Sequence, residues 1–258
     1  MVRRLGLTVF LAVLFCSGAR AARPVLLQPF DVLPQPNGTL AVTDRLQGAV
    51  YVLDTARKRG RRAAHVPQAR ELERLRDGRL LVSSGADMLA VDLRTGGKRR
   101  YARGRAILLG IARAPDGTLY ASEGGTTIVR FRGPRREILA DRLDGVHGIT
   151  VVPGALVLAE SFAGRVLRLD LETHRIDVLA HGLGNPSFTL PAVGGGFYIS
   201  EFSGNRISRL RPDGTVTTVA KVTQPGAIAF DARRRILGVT LSGTIFRIEN
   251  RQARTLYP

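Results

Sequence analysis

The chain has 258 residues, 44% apolar and 23% charged, with a formal net charge of +18. That apolar share supports one large domain or two small ones and excludes an intrinsically disordered chain. One cysteine and four histidines, with no Cys/His cluster, exclude a disulfide framework, a zinc finger and an iron–sulfur protein.

In chain order, the first segment reads as an export signal. Arg3 and Arg4 form a basic start, Leu5 to Phe15 an apolar run, and Ala19-Arg20-Ala21 a small-x-small cleavage site. The run is too short to span a bilayer. Residues 1–21 are expected to leave as a signal peptide, taking Cys16 with them, and residues 22–258 to form a single domain. A cysteine-free exported chain suits a bacterial periplasm or the cell exterior.

After that segment an internal repeat organises the sequence. A turn followed by a short β-rich run recurs as Asn37-Gly38-Thr39-Leu40, Asp77-Gly78-Arg79-Leu80 and Asp116-Gly117-Thr118-Leu119. It continues in degenerate form as Pro153-Gly154-Ala155-Leu156, Gly195-Gly196-Phe197-Tyr198 and Arg235-Ile236-Leu237-Gly238. The spacing is roughly 40 residues, the length of a propeller blade. Each unit has an inner run such as Gly148–Val152, the turn and a second run. An alternating third run (Arg165–Asp170) and a closing fourth (Arg175–Leu179) complete it. Gly-punctuated runs of this kind give about four strands per unit. Ala69 to Arg76 reads both as a short helix and as an inner strand, and Leu72 and Leu75 do not decide between them. Six units that cannot bury both faces alone must stack radially, which predicts an all-β, six-bladed β-propeller of four-stranded antiparallel blades. The absence of long amphipathic segments excludes a TIM barrel or a doubly wound sheet. Whether Pro24 to Gln28 clasps the ring is left open.

The repeat also says where chemistry can gather. Inner-strand starts and second-strand ends lie at one end of each hairpin, around the mouth of the central channel. The second-strand ends read Asp44, Ser84, Glu123, Glu160, Glu201 and Leu241. The inner-strand starts read Phe30, Gly110, His147, Ser187 and Gly226, with the second blade's register unset, and Phe162 and Phe202 sit in adjacent loops. Asp44, Glu123, Glu201, Ser187, Phe162 and Phe202 are therefore candidate ligand contacts. A ring of acids with one histidine can hold a divalent cation or work as acid and base. His147 and Glu160, thirteen residues apart across one hairpin, are the sharpest pair. Such carboxylates also serve structure, accepting loop N–H groups or pairing with arginines, and Glu160 with Arg165 and Glu201 with Arg206 have the spacing for it. His65, His174 and His181 fall on outer strands or turns, where surface roles are expected.

His147-Gly148-Ile149-Thr150, Asn185-Pro186-Ser187-Phe188-Thr189, Tyr198-Ile199-Ser200-Glu201 and Gly204-Asn205-Arg206-Ile207 resemble NHL-type propellers, and within them the streptogramin (virginiamycin B) lyase-like group. The resemblance runs from Pro29 to Pro258 and extends more distantly to gluconolactonase-type propellers. It implies a magnesium-assisted elimination that opens a cyclic ester, with His147 as general base or ligand and Glu160 helping to hold the metal, magnesium or calcium. The chain departs from that group in having six units, not seven, and no tryptophan. Gluconolactonase-type ligands sit at inner-strand starts, and of the residues read there only His147 is a good one.

Positive charge clusters at Arg57, Lys58, Arg59, Arg61 and Arg62, at Lys98, Arg99, Arg100, Arg103 and Arg105, and at Arg130, Arg132, Arg135 and Arg136. The repeat places these clusters near the turns joining third and fourth strands. That predicts an Arg-rich arc on the face opposite an acidic mouth. Such an arc would attract anionic lipid, polysaccharide or an acidic protein. Export, and the lack of aromatics among the basic clusters, disfavour nucleic acid. The sequence thus predicts a monomeric exported module that binds a small molecule or envelope component at its channel mouth. The alternative is a metal-assisted lyase or lactonase centred on His147 and Glu160.

Overall fold

The computed structural model describes residues 24–133 and 135–258, so the signal-like segment 1–21 lies outside the described residues. Six four-stranded antiparallel sheets, each formed by consecutive strands, make a six-bladed propeller. Blade one holds β1 (Pro29–Pro34), β2 (Leu40–Asp44), β3 (Ala49–Asp54) and β4 (Arg59–His65). Blade two holds β5 (Ala69–Arg74), β6 (Leu80–Ser84), β7 (Asp87–Val91) and β8 (Lys98–Arg103). Blade three holds β9 (Leu108–Arg113), β10 (Leu119–Glu123), β11 (Thr127–Arg132) and β12 (Arg135–Ala140). Blade four holds β13 (Val146–Val152), β14 (Ala155–Glu160), β15 (Arg165–Asp170) and β16 (Ile176–Ala180). Blade five holds β17 (Pro186–Pro191), β18 (Phe197–Glu201), β19 (Arg206–Leu210) and β20 (Val216–Lys221). Blade six holds β21 (Pro225–Phe230), β22 (Ile236–Thr240), β23 (Ile245–Glu249) and β24 (Gln252–Tyr257).

Burial follows position in the blade. Second strands such as β14, Ala-Leu-Val-Leu-Ala-Glu, are buried throughout because neighbouring blades cover both of their faces. Outermost strands such as β8 are mostly exposed, which is where the arginines can be afforded. Ala69–Arg74 is a strand paired antiparallel with β6, and Leu72 is buried between blades with Leu80 and Val82. Inner strands carry a bulge just inside the channel mouth, as between Pro29 and Val32 and between Ala69 and Leu72. Second-strand hydroxyls take the backbone groups that the bulge frees. Thr43 Oγ1 accepts from Asp31 N–H at 3.0 Å, Ser83 Oγ from Glu71 N–H at 3.0 Å, and Ser200 Oγ from Phe188 N–H at 3.1 Å. Gly110 lets inner strands approach closely, since a Cβ there would lie 1.9 Å from the His147 carbonyl oxygen.

The ring closes by packing. β1 lies beside β21, and no strand is shared between the two ends of the described chain. Pro24–Gln28 adds no strand but fills the seam. Leu26 is buried against Val239, Ile245 and Tyr257, and the Tyr257 hydroxyl donates to the Pro24 carbonyl at 2.9 Å. Leu26→Ala is expected to lower unfolding stability by about 2–4 kcal/mol. Denaturant unfolding followed by circular dichroism checks this, and an unchanged midpoint would show that the seam does not hold the ring.

Candidate functional site

One position on each inner strand builds the mouth of the channel. Pro29, Ala69, Leu108, Val146, Pro186 and Pro225 pair with Asp44, Ser84, Glu123, Glu160, Glu201 and Thr240 at the second-strand ends. The next residues, Phe30, Arg70, Leu109, His147, Ser187 and Gly226, therefore form one tier, with Leu109 and not Gly110 as the blade-three member. Arg70 fills the second-blade position that the sequence left unset, and the helix-or-strand ambiguity over Ala69–Arg76 is what hid it. A cavity of 220 Å³ opens at this tier, walled by Phe30, Phe162, Phe188, Phe202 and Leu241. His147, Asn185 and Ser187 supply polar groups, with Ser161 and Ser203 beside them. The structure thus brings His147, Ser187, Phe162 and Phe202 around one space.

Local structure sets the aromatic walls. Phe162 is 69% exposed and stands edge-on to the His147 ring, 6.2 Å between centroids. Its ring lies over Gly145 (φ +71°), where a Cβ would come within 2.6 Å of it. Phe30 and Phe188 meet edge-to-face at 5.8 Å. Asn185 sits in the left-handed region (φ 50°), and its amide donates to the Ser161 carbonyl at 3.1 Å, tying two pocket loops together. Burial, and secondarily the Arg70 charge, push the His147 pKa below its usual value, so the imidazole is neutral at pH 7.

The four carboxylates at second-strand ends do not line this cavity. Each reaches back to the loop entering its own blade. Asp44 accepts from Leu27 N–H (2.7 Å), Gln28 N–H (3.2 Å) and Gln47 N–H (2.9 Å). Glu123 accepts from Arg105 N–H (3.1 Å) and pairs with Arg136 at 2.5 Å. Glu160 accepts from Asp144 N–H (2.9 Å) and from Arg165 Nε (2.6 Å). Glu201 accepts from Gly184 N–H (2.8 Å), Ser208 and both faces of the Arg206 fork. Burial works to raise the Glu201 pKa, but Arg206, Ser208 and Gly184 outweigh it and leave it below the usual value. In blade two Ser84 Oγ replaces the carboxylate and donates to the Pro67 carbonyl at 2.6 Å. These acids are thus held by loop N–H groups and, in three blades, by arginines.

Three other acids, which the sequence reading did not single out, face the channel below. Asp31 accepts from Leu72 N–H (2.7 Å) and Val32 N–H (2.6 Å), and Glu71 from Ile111 N–H (2.7 Å). With Glu73 and Arg113 they border a second cavity of 330 Å³, and Phe188 lines both cavities. Burial raises Asp31 to about 6 against the pull of its two N–H donors. Burial first, then the Asp31 charge, raises Glu73 to about 7 and lifts Glu71 well above the ordinary carboxylate range. Among the described residues, no three His, Cys, Asp or Glu side chains are placed together as metal ligands. With both Glu160 oxygens engaged, His147 and Glu160 do not offer the donor set a divalent cation needs.

The basic clusters lie on outer strands of blades one to three, chiefly β4, β8, β11 and β12, and extend beyond the turns between third and fourth strands. Several are paired locally, Arg57 with Asp54, Arg100 and Arg103 sharing the one charge of Asp87, and Arg130 with Glu137. Arg136 leaves the arc altogether for Glu123.

No protein-family model matches the chain, and no curated protein matches it in sequence. Solved structures do. A streptogramin B lyase superposes with a TM-score of 0.70 at 16% identity, covering 92% of this chain and 85% of its own. The fold is that of the lyase-like and gluconolactonase-like propellers. A gluconolactonase of Xanthomonas campestris gives a TM-score of 0.74 at 14% identity, covering 85% of each chain. A calcium-binding protein, regucalcin, of Agrobacterium tumefaciens gives 0.70 at 17% identity, covering 84% of this chain and 83% of that one. At these identities the likeness concerns architecture, and activity must be argued from the site.

Glu201→Ala is expected to cost about 2–3 kcal/mol, since it leaves Ser208 and the Gly184 N–H without their buried acceptor while the partly exposed Arg206 turns to water. Denaturant titration reads this, and a loss under about 1 kcal/mol would show that the carboxylate does not hold the loop. The channel acids carry an opposite pH signature. Folded-state values above the unfolded ones mean that both states are protonated below about pH 4. As pH rises from there to about 7 the unfolded chain releases protons first, so stability falls across that window. Glu73→Gln should therefore melt like the parent at pH 4 and be more stable by about 1–3 kcal/mol at pH 7.5. Equal melting of the two proteins at pH 7.5 would contradict it.

Proposed function

We propose that this chain is a binding module for a small ring-bearing molecule, held in the pocket at the mouth of the channel. The observation that carries this is the wall of four phenylalanines, from a chain with only ten, gathered from blades one, four and five onto the axis. Phe162 stands largely in solvent there, an exposure that wins nothing for the fold and suits a stacking surface. The neutral His147, with Asn185 and Ser187, supplies the few directed polar groups that fix orientation in such sites. At 220 Å³ the pocket is smaller than the about 300–1,000 Å³ of drug-sized sites, so the ligand is compact or leaves part of itself outside. The signal-like start of the sequence supports a periplasmic or secreted setting.

The second reading, opening of a cyclic ester as in the streptogramin lyase and gluconolactonase neighbours, rests on His147 alone. Its neutral imidazole has the protonation state a general base needs. Glu160, committed to Arg165 and the Asp144 N–H, does not complete the pair. Binding is the reading that the geometry favours.

Titration with N-phenylnaphthylamine, a neutral dye that fluoresces in apolar sites, tests the proposal. A Phe162→Ala/Phe202→Ala variant should bind at least about tenfold more weakly, the equivalent of about 1.4 kcal/mol. Its thermal unfolding should remain cooperative, because Phe162 is exposed and Phe202 only half-buried. Undiminished dye binding in the variant would place the site elsewhere and overturn the reading.

A further inference from the structure

Three arginines are tied to the ends of second strands. Arg136, Arg165 and Arg206 are each held by a glutamate at the end of a second strand, Glu123, Glu160 and Glu201. Arg70 is different. Its blade has Ser84 where those blades have an acid, and Ser84 is itself occupied with the Pro67 carbonyl. Among the described residues the Arg70 guanidinium makes no ion pair and no hydrogen bond, and its Nε is buried without a partner. What it does make is a stacking contact. Its guanidinium carbon lies 5.3 Å from the centroid of Phe30, a wall of the upper pocket.

Everything around this guanidinium keeps it available. Thr43 donates to the Arg70 carbonyl and anchors the backbone at the head of β5. Contact with the Phe30 ring restricts the side chain, so less freedom is lost when an acceptor arrives. Partial burial and the nearby Arg45 charge both disfavour its charged form, and Glu71 offsets them less. The Arg70 charge also bears on His147 across the mouth. A half-buried cation with free donors, next to a like charge and an aromatic wall, is stabilised by one thing above all, an anion that accepts two of its N–H groups.

We propose that the ligand of the upper pocket is a ring-bearing organic acid, its rings against the phenylalanine walls and its anionic group on Arg70. This rests on the binding reading above and adds to it the charge of the ligand. His147, neutral and able to donate or accept, lines the same mouth as the group that reads a second polar atom of the ring system. The pairing needs no metal and no covalent step.

A matched pair of dyes separates the two claims. N-phenylnaphthylamine and anilinonaphthalene sulfonate share one ring system and differ by the sulfonate, so the ratio of their dissociation constants isolates recognition of the charge. The parent protein is expected to favour the sulfonate by about tenfold or more at low salt, with the ratio shrinking as salt is added. Arg70→Gln should abolish that preference while leaving the neutral dye unchanged. Arg70→Lys, which keeps the charge but loses the fork, should restore only part of it. Thermal melts of both variants confirm folding. A ratio unaltered by Arg70→Gln overturns the acid-ligand inference, yet leaves the binding reading intact if the Phe162→Ala/Phe202→Ala variant still loses the neutral dye. If the neutral dye binds the parent and that variant alike, the binding reading fails. If neither dye binds the parent, both proposals are overturned.

Discussion

Every crossing from an outer strand to the next inner strand brings backbone N–H groups into the crowded ring around the channel mouth. There they must find acceptors or cost the fold the price of burial. In four blades a carboxylate at the end of the second strand takes them, Asp44 from Leu27 and Gln28, Glu123 from Arg105, Glu160 from Asp144 and Glu201 from Gly184. A buried carboxylate needs its own compensation, and Arg136, Arg165 and Arg206 supply it in three of them. Once those acids and arginines are committed to one another, few charges remain at the mouth itself. The chemistry of the mouth is set by that remainder, which is phenylalanine, one histidine and Arg70.

The channel consequently has two characters along its length. Above, the walls are aromatic and the titratable group is a histidine kept neutral by burial. Below, Asp31, Glu71 and Glu73 stitch inner strands of adjacent blades while holding protons at unusually high pH. Phe188 belongs to both spaces, and its edge-to-face contact with Phe30 marks the passage from one to the other. Glu71 feels the Arg70 charge, but the two form no ion pair, and the guanidinium stays beside Phe30 at the upper pocket.

The architecture was legible because turn glycines such as Gly38, Gly78 and Gly117 recur at blade spacing, and a repeat constrains topology far more than any local propensity does. His147, Ser187, Phe162 and Phe202 were also within reach, since the hairpin register puts strand starts and the adjoining loops at one end. What the sequence could not supply was the direction of each side chain. Asp44, Glu123, Glu160 and Glu201 stand at the positions expected of them, yet they point into the loop layer because unsatisfied N–H groups lie there. Arg70 was hidden by Leu72 and Leu75, whose spacing mimics a helix turn. Asp31, Glu71 and Glu73 were hidden by the inner-strand bulges, which shift the period-two pattern within a few residues and have no marker in residue type.

The seam between the first and last blades bears on how the chain is wired. Because each blade is made from one unbroken stretch, and Pro24 lies within hydrogen-bonding distance of Tyr257, the present opening between blades six and one is topologically equivalent to any other blade boundary. The order of blades along the polypeptide is thus separable from their order around the ring. A circularly permuted chain, joined near Tyr257 and Pro24 and opened between two other blades, would retain all six sheets. It would also free the present seam from its dependence on Leu26, since blades six and one would become covalent neighbours.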